Sequence, residues 1–186
     1  MTSASDRAWL LVVVSTAGAR KSLRMHVWRR LKELGALPVH QGVSMLPAAP
    51  EVVRAVRRLL ERVDRDGGEG RSMRVELVDE AEHTAAVEQC RTARDAEYAE
   101  VLERLPELFA ELATETARGR TTFAEVEESE ADLDRFRRWV HRIAARDYFG
   151  GHRRAEVDDQ LARAARALAE FEEAALAADT APRGTE

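Results

Sequence analysis

The residues most able to take part in chemistry are six cations near the amino end of the chain. Six of the thirteen residues from 20 to 32 are Arg or Lys, namely Arg20, Lys21, Arg24, Arg29, Arg30 and Lys32. Guanidinium and ammonium groups bind phosphate and other oxyanions through charge-assisted hydrogen bonds. We therefore predict that these six residues contact a polyanion, such as the phosphates of DNA. The alternative is the ordinary solvated outer face of an amphipathic helix.

A second group of cations lies further along the chain. Arg138, Arg142 and Arg146 recur every four residues, which would place them along one edge of a helix. His152 follows two glycines and precedes two arginines. We predict an anion site at these four residues. Pairing with the nearby acidic run 125–130 is the favoured alternative for the arginines, and an ordinary solvated loop position is the alternative for His152.

The sequence contains no pattern typical of catalysis or metal binding. Its five histidines lack zinc-motif spacing, and Cys90 is the single cysteine, on a predicted apolar helix face. Glycines 67, 68 and 70 lack the lysine and the spacing of a phosphate-binding loop. We therefore expect a protein that is not an enzyme and has no metal and no cofactor.

Charge is distributed unevenly along the 186 residues, although the net charge is only −5. Through Val75 there are 14 Lys and Arg against 7 Asp and Glu, and from Glu76 onward 15 against 27. A basic front and an acidic rear favour a polyanionic partner at the front, or attraction between the two regions. No run is long enough to span a membrane and no signal peptide is recognisable, so we expect a cytoplasmic protein without membrane contact.

The elements that must position these cations alternate between strand and helix up to residue 79. An apolar strand at 8–14 precedes a helix whose apolar side is Leu23, Val27, Leu31 and Leu34. A hairpin turning at Gln41-Gly42, a helix at 51–63 and a strand at 72–78 follow. The order β-α-β-β-α-β predicts an α+β fold, a ferredoxin-like sandwich over residues 1–79.

From residue 80 to 180 the pattern predicts a helical extension. One helix over 82–105 restarts or kinks at Pro106 and continues to about residue 117. A short extended piece at 121–126 precedes a helix that starts near Ser129. Gly150-Gly151 separates that helix from a last one over 153–178. We expect residues 181–186 to be a flexible tail.

Three stretches together resemble the N-terminal region of ChrB-type chromate-resistance regulators. They are VWRRLKELGA at 27–36 with GVSMLP at 42–47, ARDAEY at 93–98, and RRWVHRIAARDYF at 137–149. The resemblance implies a cytoplasmic transcription regulator that binds promoter DNA near chromate-efflux genes and responds to chromate. Longer members carry a further C-terminal domain linked to chromate handling, and this sequence stops at Glu186. We therefore expect the DNA-binding part of that role here.

Two other classes remain open. A sensor of chromate or sulfate, or a protein-interaction module that forms a homodimer through its sheet, would use the same arginines without DNA. A chromate reductase ranks last, because no flavin or nicotinamide fingerprint is present. The ferredoxin-like nuclease subunit of CRISPR adaptation has a similar helix, glycine and hairpin, but it carries an acid after its first strand. This chain has Ser15-Thr16 there, so a nuclease is disfavoured.

Overall fold

The computed structural model describes residues 7–117 and 122–180, the last three as backbone only. It confirms the α+β class and the predicted strand and helix order, followed by a helical part. The elements are β1 Trp9–Ser15, α1 Lys21–Glu33, β2 Leu37–His40, β3 Val43–Pro47, α2 Pro50–Arg65, β4 Glu69–Val75, α3 Glu80–Ala117, α4 Phe123–Ala144 and α5 Arg154–Thr180. None of the helices in the described ranges is long and apolar enough to cross a membrane.

The chain forms two compact units. Of the described residues, the sandwich unit contains 7–90 and Arg146–Phe149, and the helical unit contains 91–117, 122–145 and 150–180. The predicted domain boundary between residues 79 and 80 stays a prediction. The predicted tail 181–186 lies outside the described residues.

The sandwich unit is built on a four-stranded antiparallel sheet in the order β2-β3-β1-β4. This is the ferredoxin-like order, in which the first and third strands occupy the centre. Every residue of β1 pairs with β4, from Trp9 opposite Val75 to Ser15 opposite Glu69. That full pairing explains why β4 begins at Glu69, three residues before the predicted strand.

One face of the sheet is covered by α1 and α2. Side chains alternate along β1, so that Leu10, Val12 and Val14 point to the same side. They form one buried cluster with side chains of both helices, namely Leu23, Val27, Val52, Val56, Leu59 and Val63. The apolar face predicted for α1 is therefore the face that packs on the sheet.

The other face of the sheet packs partly against the start of α3. Trp9, which is 1% exposed, clusters there with Met45, Ala86 and Cys90. Cys90 is thus buried, as predicted. The indole Nε1 of Trp9 donates a hydrogen bond to Nδ1 of His83 across 3.1 Å.

The short segment Arg146–Phe149 attaches to the sandwich unit at two places. The Tyr148 hydroxyl donates to the carbonyl of Leu34, 3.2 Å away, at the C-terminal end of α1. The Phe149 ring lies 5.5 Å from the Trp9 ring. Tyr148 therefore packs against the helix-covered cluster, which lies between the sheet and helices α1 and α2. Phe149 packs against the cluster around Trp9 on the other face of the sheet.

The helical unit has its own core, made by α3 from Arg91 onward with α4 and α5. Its fully buried side chains include Tyr98, Leu105, Leu133, Ile143 and Val157. Two predictions need correction here. Helix α4 begins at Phe123, so the extended piece is wrong from that residue on, and the predicted start near Ser129 is wrong. The reason is Thr122, whose side chain accepts a hydrogen bond from the N–H of Glu125 and so caps the helix earlier.

Candidate nucleic-acid interface

Helix α1 carries the predicted cations and has an unusual charge at its start. Its first turn contains no acidic residue, and Arg20 at the N-cap makes no side-chain cap hydrogen bond. The N-terminal end of a helix is partially positive, so Arg20 and Lys21 lie where acids are normally favoured. The partial positive charge of the helix end and these two cations together make this end attractive to an anion.

The six predicted residues fall on the solvent side of α1 and its N-cap. Arg30 is half-buried, and the others are exposed, namely Arg20, Lys21, Arg24, Arg29 and Lys32. Arg30 pairs with Glu33 at 3.0 Å on the same helix. Within residues 7–117 and 122–180, no carboxylate pairs with the other five.

Helix α2 extends the basic surface beyond α1, which the sequence reasoning missed. Its exposed side includes Arg54, Arg57, Arg58, Arg62 and Arg65. A cleft of about 600 Å³ is lined by Arg20 of the α1 N-cap together with Arg62 and Arg65, and by the acid Asp66, which pairs with Arg62 at 3.1 Å. The arginines on the outer side of α2 could have indicated this larger basic surface from the sequence. Their approach to Arg20 could not be predicted, because the packing of α1 beside α2 brings Arg62 and Arg65 to it.

A second cleft, of about 590 Å³, lies on the other side of α1. It is bounded by α1, by the C-terminal end of β1 and by the β2–β3 hairpin. The hairpin is held there by a hydrogen bond of 2.8 Å from the N–H of Val14 to the carbonyl of Gly42. Gly42 has φ +74°, and a Cβ on it would lie 2.6 Å from the Val14 carbonyl oxygen, so only glycine fits.

The four residues of the predicted anion site are distributed over three places. Arg138 and Arg142 are exposed on α4, but α4 ends at Ala144. The predicted helical edge is therefore wrong for Arg146, which belongs to the sandwich unit. Nδ1 of His152 lies 2.8 Å from a carboxylate oxygen of Asp95. Anion binding by these residues stays a prediction.

Asp95 lies in a polar cluster next to Arg94, which is buried although it is charged. Arg94 is 8% exposed and pairs with Glu97 at 3.2 Å. Asp95 accepts hydrogen bonds from the N–H of Arg153 and from His152. Partial burial by itself raises the pKa of Asp95, but these bonds outweigh it and hold the pKa below its usual 3.8. The cluster therefore stabilises the helical unit.

Comparison with known families settles the membership of the chain. The family described as Protein ChrB, N-terminal, matches residues 24–182. The chain belongs to the ChrB N-terminal family. Protein ChrB of Cupriavidus metallidurans is 28% identical over 130 residues, which cover 70% of this chain and 36% of that relative. The chain thus matches little more than a third of the length of the relative.

The resemblance to the ChrB N-terminal region is therefore confirmed. The three stretches that carry it have separate structural roles. Residues 27–36 and 42–47 form most of α1, its terminating glycine and strand β3 with the turn before it. Residues 93–98 supply Arg94 and Asp95, and residues 137–149 end in Tyr148 and Phe149 on the sandwich unit.

Proposed function

We propose that this chain is a DNA-binding transcription regulator of the chromate-resistance type. The exposed cations of α1 contact the phosphates of promoter DNA. The observation that supports this role is the exposure of Arg20, Lys21, Arg24, Arg29 and Lys32 without a carboxylate partner in the described parts of the chain. In this proposal the chain acts in the cytoplasm by binding alone, without cofactor or catalysis.

The proposed contact gives affinity more than sequence selectivity. Each phosphate neutralised by Lys or Arg releases condensed counterions, so that log K falls with log salt by about 0.9 per contact. Phosphate contacts also fix the position of a protein on the duplex without reading bases. Helix α1 has 13 residues and is therefore roughly 20 Å long, enough to reach several phosphates.

Fluorescence polarisation tests the proposal directly. A labelled duplex from the region upstream of the gene is titrated with the wild type and with the double variant Lys21→Ala, Arg29→Ala, from about 50 to about 200 mM salt. We expect the variant to bind about tenfold or more weakly, and its salt slope to fall by about two.

A matched control removes the same charge from the helical unit. Arg135 and Arg137 are 66% and 54% exposed and pair with Asp132 and Asp134 of the same helix. Their double alanine variant should bind DNA like the wild type. Equal affinities for all three proteins would contradict the proposal, and so would equal losses in both double variants.

Oxyanion sensing is a second candidate, supported by the cleft of Arg20, Arg62 and Arg65. The cleft is lined by these three guanidinium groups and by the Asp66 carboxylate, so that positive charge is in excess. Such a site suits a tetrahedral dianion such as chromate or sulfate. Thermal unfolding with chromate, with sulfate and with chloride at equal ionic strength tests it. A stabilisation specific to a dianion and lost in Arg65→Ala supports this candidate, and identical unfolding temperatures in all three salts reject it.

A further inference from the structure

The cleft between α1 and the hairpin has the size and lining of a ligand site. Its volume of about 590 Å³ falls within the range typical of small-molecule pockets. The wall formed by α1 consists of Arg24, Val27, Trp28 and Leu31. The remaining lining residues come from β1, the residues after it and the hairpin, namely Val13, Val14, Ser15, Thr16, Ala17, Pro38, His40, Gln41, Gly42 and Ser44.

The charge of this cleft favours an anionic ligand. Among the described residues that line it there is no carboxylate, whereas Arg24 and His40 are both present. Nε of Arg24 donates to the hydroxyl oxygen of Thr16 across 3.4 Å, which holds the side chain against the wall. This bond uses one of the five N–H groups of the guanidinium and leaves its terminal fork for a phosphate. Ser15, Gln41 and Ser44 add polar groups able to hydrogen-bond a neutral ring.

Trp28 provides the flat apolar surface of the cleft. It is 56% exposed, which is unusual for a side chain that is highly buried on average. The ammonium of Lys32 lies 5.5 Å from the centre of its ring. An exposed aromatic ring among cations is the arrangement on which unpaired bases stack in proteins that bind single strands.

We propose that this cleft binds a nucleotide, with the base against Trp28 and the phosphate on Arg24. The inference rests on the proposed function, because the same helix would carry the duplex contacts, and it adds a ligand class that duplex binding does not require. The nucleotide is either free in solution or an unpaired nucleotide of a DNA strand. An added peptide strand is disfavoured, because Pro38 lacks the N–H that such a strand would use on β2.

Tryptophan fluorescence measures the proposed binding in the full chain. Trp9 is buried and Trp139 is packed in the helical core, so Trp139→Phe leaves Trp28 as the exposed reporter. This protein is titrated with dAMP, with a five-nucleotide deoxyadenosine strand and with inorganic phosphate at constant ionic strength. We expect saturable quenching by dAMP or by the strand, and none by phosphate.

Equilibrium dialysis with labelled dAMP and with the labelled strand then tests the two residues. Trp28→Ala and Arg24→Ala should each weaken binding about tenfold or more, and Trp28→Phe should keep most of it. Phe123→Ala, which removes a 52% exposed aromatic ring from the helical unit, and Arg135→Ala, which removes a 66% exposed cation from the same unit, are the controls and should bind normally.

Each outcome decides the inference separately from the proposed function. Binding of the strand but not of dAMP assigns the site to unpaired DNA, and comparable binding of both assigns it to free nucleotide. Failure of the wild type to bind either probe overturns the inference, and so does wild-type affinity in Trp28→Ala. Duplex affinity is measured on the wild type alongside. Intact duplex binding by the wild type without nucleotide binding rejects only the cleft, whereas a wild type that binds no duplex rejects the proposed regulator.

Discussion

The Asp95 carboxylate accepts a hydrogen bond from the backbone N–H of Arg153, 2.9 Å away, and so connects α3 to the residue that precedes α5. A negative charge at the N-terminal end of a helix is favourable, because that end is partially positive. The loop between α4 and α5 packs closely against Asp95, since a Cβ on Gly151 would lie 2.9 Å from Asp95 Oδ1. One carboxylate thus holds the start of α5 in the helical unit.

We predict that Asp95→Ala lowers the free energy of unfolding by about 1–3 kcal/mol at pH 7, because it leaves donors of the loop without their acceptor. The pKa of Asp95 is lowered in the folded state, so its contribution is present above the unfolded pKa of about 3.9 and is lost as the pH falls through the folded pKa. Urea denaturation at several pH values between about 7 and 3 measures this.

The control for Asp95 is Glu100→Ala, which removes an exposed acid from the same helix. It should change the free energy of unfolding by less than about 0.5 kcal/mol at every pH. The wild type and Asp95→Ala could differ by the same free energy of unfolding at every pH down to the lowest one measured. That result would show that the charge of the Asp95 carboxylate does not contribute to stability.

Gly42→Ala should destabilise the protein more than Gly18→Ala. Both glycines have positive φ, +74° and +79°, so alanine pays the same conformational penalty of about 1 kcal/mol at each. Gly18 has open space around it, whereas a Cβ on Gly42 would meet the Val14 carbonyl oxygen at 2.6 Å. We expect an additional loss of about 1–2 kcal/mol at Gly42, measured by chemical denaturation. If both variants lose the same free energy of unfolding, the hairpin moves away from β1 without cost and makes room for the added Cβ.

Tyr148→Phe should reduce stability without removing a DNA contact. The change deletes the hydroxyl that donates to the Leu34 carbonyl and keeps the ring in the helix-covered cluster. The expected loss is about 0.5–1.5 kcal/mol in the free energy of unfolding. Arg29→Ala should do the opposite, with weaker duplex binding and unchanged stability. If Tyr148→Phe has the stability of the wild type, the hydrogen bond to the Leu34 carbonyl contributes no more than the bonds that the Tyr148 hydroxyl makes to water in the unfolded chain.

Local patterns were enough to predict the sandwich and the exposure of its cations. The continuous apolar run of β1, and the spacing of three and four residues that relates Leu23, Val27, Leu31 and Leu34, indicate buried surfaces directly. The bonds from Asp95 to Arg153 and from Tyr148 to Leu34 join residues 58 and 114 positions apart, so no local pattern indicates them. The cleft beside α1 was missed for the same reason, because three separate segments form its walls.

Trp9 and His83 should show a coupling free energy in a double-mutant cycle. The Trp9 indole donates to Nδ1 of His83, which places the proton of the neutral ring on Nε2, and the two rings meet edge to face at 5.9 Å. Trp9→Phe removes the donor, and His83→Ala leaves the N–H of a fully buried indole without an acceptor, at a cost of about 1–3 kcal/mol. If the two side chains act through this bond, the double variant is less destabilised than the sum of the single variants, by about 0.5–1.5 kcal/mol. Urea denaturation of the four proteins gives this value, and strict additivity would show that each residue stabilises the sheet independently.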